Sequence, residues 1–208
     1  MTPAWSIRLY EAADEVYWAV KLTLLWTAFT LAGGVVVGVG PATVAAFTVA
    51  RRHALGDSFA AWPAFATAYR QGFGRGCALV LPLAGAGVVL VVNYAYFASL
   101  GPAAAAGRLA TIAALIVLTL IAAYLLPMAV HYDLPTRACL PKALLFALTR
   151  PAASVLLLFI CAAVAYAAMV FPLLLLVVAV GGWIQLDTWL CLRLFAENEA
   201  RLRAERIS

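Results

Sequence analysis

Charged side chains are scarce in this sequence. Of its 208 residues, 11% are Asp, Glu, Lys or Arg and 66% are hydrophobic. Soluble domains carry about 25% charged residues, so the composition excludes an ordinary water-soluble domain. It also excludes a disordered chain, because disorder requires low hydrophobicity. The sequence therefore predicts an integral membrane protein with lipid as its surroundings.

Chemically active side chains are also few. The chain has four Cys and two His, no CxxC pair, and no spacing that suggests a nucleophile–base pair, a metal-ligand cluster or paired carboxylates. We expect free, structural thiols, no enzyme and no cofactor. The net charge of +5 does not predict a nucleic-acid partner, because Lys and Arg collect in the cytoplasmic loops of membrane proteins.

Long uncharged runs predict membrane-spanning helices. Residues 152–182 contain no charge in 31 positions, and one helical span needs about 20 apolar residues. We predict an all-α polytopic bundle of about five spans, forming a single membrane domain over residues 1–208. The predicted spans are residues 17–37, 78–100, 109–130, 152–170 and 173–192, with Pro172 as the turn before the last one.

Shorter segments between the spans are predicted to lie along the membrane surface. They are residues 41–53, 58–75 and 140–149. With five spans, eleven of the 14 Lys and Arg residues fall on one side and the other three on the opposite side. This bias predicts an outside amino terminus, cytoplasmic interfacial helices and a cytoplasmic carboxyl terminus. Arg outnumbers Lys 12 to 2 and Ala is abundant, which is typical of a high-GC bacterial genome, so we expect a bacterial cytoplasmic membrane. The tail from Arg193 is predicted to be a charged helix in water, and the polar residues 1–16 predict no cleavable signal peptide.

A glycine-rich segment ends the first predicted span. Gly34, Gly38, Gly40 and Pro41 follow one another within a run of 29 uncharged residues, 22–50, which as one helix would be about 44 Å long. We therefore predict a hinge at Gly38–Pro41, either re-entrant or interfacial. Gly34 and Gly38 also have the spacing of small residues that seat a second helix.

An aromatic stripe marks the segment that follows. Its residues recur at spacings of three and four, on about 120° of a helical wheel, with one Arg beside the stripe and one beyond it. They are Phe59, Trp62, Phe65, Tyr69, Arg70, Phe73 and Arg75. The pattern predicts an amphipathic interfacial helix. Its stripe either rests on lipid or the protein's own bundle, or docks onto a partner protein.

Polar residues inside predicted spans are the default functional candidates. Asn93 is expected to form a helix–helix hydrogen bond. Asp187, with Gln185 beside it, is either paired with a basic loop residue or part of a functional site. His131 and Asp133 either relay protons or form a turn at the interface.

The ordered motifs between residues 17 and 75 resemble the amino-terminal signature of the YesL family. They are Leu25-Trp26, the glycine-rich run into Gly40-Pro41-Ala42-Thr43, Arg51-Arg52, Gly56-Asp57 and the aromatic-basic helix from Phe65 to Arg75. At Thr23 the family often has Asn. YesL-like proteins are small bacterial membrane proteins defined by a domain of unknown function.

The resemblance implies a genomic context and no reaction. YesL-like proteins are typically encoded beside sugar ABC-importer permeases and glycoside hydrolases. The leading hypothesis is therefore a non-catalytic accessory or assembly subunit of a bacterial carbohydrate ABC importer. Its first span and the helix Phe59–Arg75 would contact permease subunits. The alternative is a small oligomeric carrier or channel in which Asn93, Gln185 and Asp187 face a water-filled path. A membrane-bound sensor is a third interpretation.

Overall fold

The computed structural model describes residues 4–132, 135–171 and 178–207, and every regular element within these ranges is helical. The helices are α1 Ala4–Ala32, α2 Val39–Ala54, α3 Ala61–Gln71, α4 Phe73–Ser99, α5 Ala105–His131, α6 Thr136–Thr149, α7 Pro151–Val170 and α8 Val180–Ile207. A short 3₁₀ turn, Pro102–Ala104, precedes α5. The predicted all-α class is therefore confirmed. The predicted turn at Pro172 and the predicted role of Asp133 lie outside the described residues.

Among the described residues, two helical segments are long and apolar enough to cross a membrane. They are α4 and the segment Pro102–His131, which contains α5. Residues Ala138–Thr149 of α6 and Pro151–Ala167 of α7 pass the same test together, as a pair bent by 102°. The predicted membrane-helix character is therefore confirmed, and the count of five spans stays a prediction.

Glycines shape the hairpin of α4 and α5 at its turn and near its middle. Gly101 adopts a φ of 74°, which favours a residue without a Cβ atom, and this lets the chain reverse. A Cβ atom at Gly107 would lie 2.8 Å from the Phe97 ring, so this glycine lets the two helices approach closely. Near the middle of both helices, Gly87 faces Leu118. The two helices therefore run antiparallel.

The break after α1 lies at residues 33–38, just before the predicted hinge. Gly34 sits in the turn with a φ of 73°, and Gly38 packs against the backbone of Thr30 and Gly33. The prediction that Gly34 and Gly38 share one helical face is wrong, because Gly34 is not helical and Gly38 precedes α2. Gly40 and Pro41 already belong to α2.

Helix α2 lies inside the protein, whereas the sequence predicted residues 41–53 at the membrane surface. It contacts α1, α3, α4, α5 and α8, and nine of its 16 residues are buried. Toward its carboxyl end, Phe47 and Val49 are each only 1% exposed. An apolar helix that ends in basic residues fits either location, so the sequence pattern did not distinguish them.

The start of α1 contacts the basic end of α2. The Glu15 carboxylate lies 3.6 Å from Nε2 of His53, and the Trp18 ring stacks on His53 with 4.2 Å between centroids. The predicted topology placed residue 17 outside and residues 51–53 inside, separated by a membrane. These contacts overturn the predicted outside position of the amino terminus relative to the basic end of α2.

Helices α1 and α8 pack through a backbone approach at Gly181. A Cβ atom there would collide with the Ala19 carbonyl and lie 2.7 Å from Thr23 Oγ1. The Gly181 N–H donates to Thr23 Oγ1 at 2.9 Å, and the Thr23 hydroxyl donates to the Ala19 carbonyl at 2.9 Å. The Thr23 hydroxyl of α1 therefore links the two helices, because it accepts from the backbone of α8 and donates within α1.

Removing the Thr23 hydroxyl should destabilise the α1–α8 contact. We expect Thr23→Val to lower the free energy of unfolding by about 1 kcal/mol, because Thr23 is 1% exposed and the substitution removes the hydrogen bond that the Gly181 N–H donates to it, and one buried hydrogen bond contributes about that much. The measurement is SDS-induced unfolding in mixed micelles. Thr67→Val is the matched control, since the exposed Thr67 hydroxyl donates to Pro63 four residues earlier in the same way. Equal losses in both variants would contradict the role of Thr23 in joining α1 to α8.

Candidate functional sites

The aromatic stripe divides between the inside of the bundle and its surface. Phe65 is fully buried, and the Phe29 ring of α1 lies 5.0 Å from the Phe65 ring and 5.2 Å from the Tyr69 ring. Phe59 is half-buried, with its ring edge-on to Trp18. This face of α3 therefore packs on the protein's own bundle. Burial in this contact raises the pKa of the Tyr69 hydroxyl.

The other residues of the predicted surface helix are divided between two helices, because α3 ends at Gly72. Trp62 is 61% exposed, and Arg70 is exposed. Phe73 and Arg75 belong to α4, and Nη2 of Arg75 lies 4.0 Å from the buried Cys139 sulfur of α6. The single predicted helix over residues 58–75 is therefore α3 plus the first turn of α4.

A surface groove of about 520 Å³ lies between α2 and α3. Its lining is Thr48, Arg52, Phe59, Ala60, Pro63, Ala64, Thr67, Ala68, Gln71 and Gly72. Arg52 places its guanidinium 4.4 Å from the centroid of the Phe59 ring and also pairs with Asp57 at 3.4 Å. The groove thus combines small apolar side chains of α3 with the basic end of α2.

The three intramembrane polar candidates lie in three different surroundings. Asn93 is exposed on α4, and no hydrogen bond from its side chain to another described residue is present, which corrects the predicted helix–helix bond. Gln185 donates to the Glu15 carboxylate of α1. Asp187 is 1% exposed, so the structure does not bring the three together.

Asp187 is buried where α5, α7 and α8 meet. Its Oδ1 lies 3.8 Å from the Cys191 sulfur, whose S–H also has the Ala123 carbonyl within 3.8 Å. Its Oδ2 has no hydrogen-bond partner within the ranges that the structure describes. Among the described residues no cation pairs with Asp187, so the predicted pair with a basic loop residue is absent from this part of the chain.

Polar groups gather where the end of α5 meets α8. Nε2 of His131 lies 3.8 Å from Oε1 of Glu199, and the Tyr132 hydroxyl donates to the same oxygen at 3.3 Å. Burial is the larger cause that raises the pKa of Tyr132, and the nearby Glu199 carboxylate is the second.

The tail from Arg193 was predicted to lie in water. Phe195 in this tail is 1% exposed, so at least the first turn of the tail packs on the bundle.

A metal centre is not formed by the residues in the described ranges. Within them no group of three or more His, Cys, Asp or Glu side chains is arranged to hold a metal ion. The free cysteines Cys139 and Cys191 are buried.

The hydrogen bond between Thr23 and Gly181 was not predicted from the sequence. The sequence feature that could have indicated a close helix contact there is a glycine at the end of a long apolar run.

The fold and these sites define a helical membrane protein. It has a surface groove between α2 and α3 and a buried carboxyl group, that of Asp187, on α8. Residues 19–94 match the family described as "Protein of unknown function, DUF624". The uncharacterized protein YesV of Bacillus subtilis (strain 168) is 32% identical over 166 residues, which are 79% of this chain and 80% of YesV. The uncharacterized protein YesL of the same organism is 32% identical over 149 residues, 67% of this chain and 68% of YesL.

The chain therefore belongs to the DUF624 family, and the resemblance to YesL is confirmed. No solved structure matches it. The matched segment, residues 19–94, contains all residues that line the groove between α2 and α3. Asp187 lies outside that segment.

Proposed function

We propose that this protein is a non-catalytic accessory or assembly subunit of a bacterial carbohydrate ABC importer. The observation that carries the proposal is the groove between α2 and α3. Phe65 and Tyr69 anchor one face of α3 on α1, while Thr67 and Gln71 on its exposed side line the groove. Apolar grooves with polar margins accept a helix or extended segment of a partner. We assign that role to a cytoplasmic segment of a permease subunit.

The proposed location is the bacterial cytoplasmic membrane, with several crossings and the basic end of α2 facing the cytoplasm. The excess of Lys and Arg supports this orientation. Arg51 and His131 line one small cavity, so the ends of α2 and α5 lie together. Because Arg52 lines the groove, the groove then faces the cytoplasm, where an importer's ATPase subunits dock.

The alternative, a small oligomeric carrier or channel for a polar solute, has less support. It requires Asn93, Gln185 and Asp187 to face a shared path. Within one chain Asn93 is exposed, Gln185 contacts Glu15, and Asp187 is buried. These surroundings favour the accessory role over transport by one copy of the chain.

The test is a mild-detergent purification of the tagged protein from native membranes, with mass spectrometry of the recovered chains. We expect sugar-importer permease subunits in near-stoichiometric amounts. Thr67→Trp should lower their recovery by about tenfold, equivalent to 1.4 kcal/mol, because the larger side chain fills the groove from an exposed position.

Leu148→Trp is the matched control, because Leu148 is 72% exposed on α6 and does not line the groove. Its recovery of permeases should equal that of the wild type. Purification of the chain without permeases, as a defined oligomer, would contradict the accessory role. Unchanged recovery with Thr67→Trp would remove the groove as the interface.

A further inference from the structure

A second cavity, of about 320 Å³, lies between α4, α5, α7 and α8. Its lining is Val80, Leu83, Ala84, Leu118, Thr119, Ala122, Ala123, Leu126, Cys161, Trp183 and Asp187. Ala84 is exposed, so the cavity reaches the surface of α4, one of the two helices suited to cross a membrane. The volume falls at the lower end of the range for small-molecule sites, about 300–1,000 Å³.

The cavity wall is mostly apolar, and its ionisable groups are the Asp187 carboxyl and the Cys161 thiol. The Asp187 side chain is 1% exposed, and its Oδ2 has no hydrogen-bond partner among the described residues. The side-chain hydrogen bond that Asp187 receives within these residues, from the Cys191 thiol at 3.8 Å to Oδ1, is weak because a thiol is a poor donor. A buried polar atom without a partner costs about 1–3 kcal/mol, so a ligand that brings a donor would recover stability.

We propose that this cavity binds a small amphiphile with a hydrogen-bond donor, a hydroxyl or primary ammonium group, at the end of an apolar chain. The donor meets Oδ2 of Asp187, and the chain lies along Leu83, Leu118 and Leu126. Entry occurs from the apolar surroundings at Ala84. An amphiphile with a carboxylate head is excluded, because the described residues that line the cavity include no Lys, Arg or His, and an ionised carboxylate in an apolar cavity needs a paired positive charge. The site is distinct from the groove between α2 and α3.

Modification by dicyclohexylcarbodiimide tests this site in the full-length protein in phospholipid nanodiscs. The Asp187 oxygen adds to the carbodiimide carbon while the carboxyl proton moves to a nitrogen, and O-to-N acyl migration leaves a stable N-acylurea with no leaving group. Peptide mass spectrometry locates the adduct. We expect 1-octanol and octylamine to slow modification of Asp187 by about tenfold or more, and octanoate to leave it unchanged.

Matched variants separate binding in the cavity from general membrane effects. Ala84→Phe narrows the cavity at its exposed side and should abolish the adduct at Asp187. Ala86 is also exposed on α4 but does not line the cavity. Ala86→Phe should therefore keep the adduct and its protection by octanol and octylamine. Both variants are checked for an unchanged elution profile. Asp57 is 51% exposed and lies outside the cavity. It serves as the internal control, because the amphiphiles should not protect it from a water-soluble carbodiimide.

Three results would overturn the proposal. Absence of the adduct at Asp187 in the wild type would show that apolar molecules do not reach it. Equal protection by octanol, octylamine and octanoate would show that the cavity does not select a donor-bearing head group. An equal yield of the adduct in the Ala84→Phe and Ala86→Phe variants would show that entry does not occur at Ala84. None of these results bears on permease recovery, so this site and the accessory role fail independently.

Discussion

Gly76→Ala will lower the free energy of unfolding by about 2–3 kcal/mol, although Ala is the better helix former by about 1 kcal/mol. A Cβ atom at Gly76 would lie 2.7 Å from the Cα and N atoms of Pro41 and 2.8 Å from the Gly40 carbonyl carbon. These are backbone atoms of α2, which cannot move aside as a flexible side chain can. Overpacking in a fixed environment costs about 1–3 kcal/mol or more, so the steric term exceeds the gain in helix propensity.

Gly74→Ala is the control for this prediction. Gly74 lies in the same first turn of α4, and a Cβ atom there would have no atom within 4 Å. We expect no loss of stability, and a gain of up to about 1 kcal/mol. SDS titration in mixed micelles measures both variants. If Gly76→Ala is as stable as Gly74→Ala, the close α2–α4 crossing is not present in the folded protein.

The apolar helices were predictable from the sequence because burial in lipid requires long uncharged runs. The predicted spans 78–100 and 109–130 correspond to α4 and α5, which begin five and four residues earlier. Helix α1 begins far before residue 17, since a polar segment can continue a helix that the apolar segment has already formed. Helix α2 was misplaced because its partners on α4 and α8 lie far along the chain.

The candidate sites were only partly predictable for a related reason. The stripe of α3 was recognised, but its covering surface, Phe29, belongs to another helix. Asp187 was expected near the inner interface, paired with a basic loop residue, because Arg193 follows it after only six positions. Six residues rotate a helix by about 240° beyond one full turn. Arg193 therefore faces elsewhere, and its guanidinium lies 3.8 Å from the centroid of the Trp189 ring.

The structure assigns opposite roles to two aromatic residues that the sequence placed on one stripe. Phe65 is fully buried and Trp62 is 61% exposed, although they are three residues apart on α3. A stripe that served only to dock a partner would leave both available to it. In this protein the buried half holds α3 in place, and that position creates the groove between α2 and α3.

Phe65→Ala should therefore lower the free energy of unfolding by about 3–5 kcal/mol, the usual cost of removing a buried aromatic ring. Trp62→Ala should cost less than about 1 kcal/mol, because most of that side chain is already exposed and its contact is a tilted approach to Phe29 at 5.3 Å. SDS titration and thermal loss of the monodisperse elution peak measure both. Similar losses in the two variants would mean that α3 is not anchored through Phe65. Then the groove could not be a fixed surface, and permease recovery in Thr67→Trp would be expected to match the wild type.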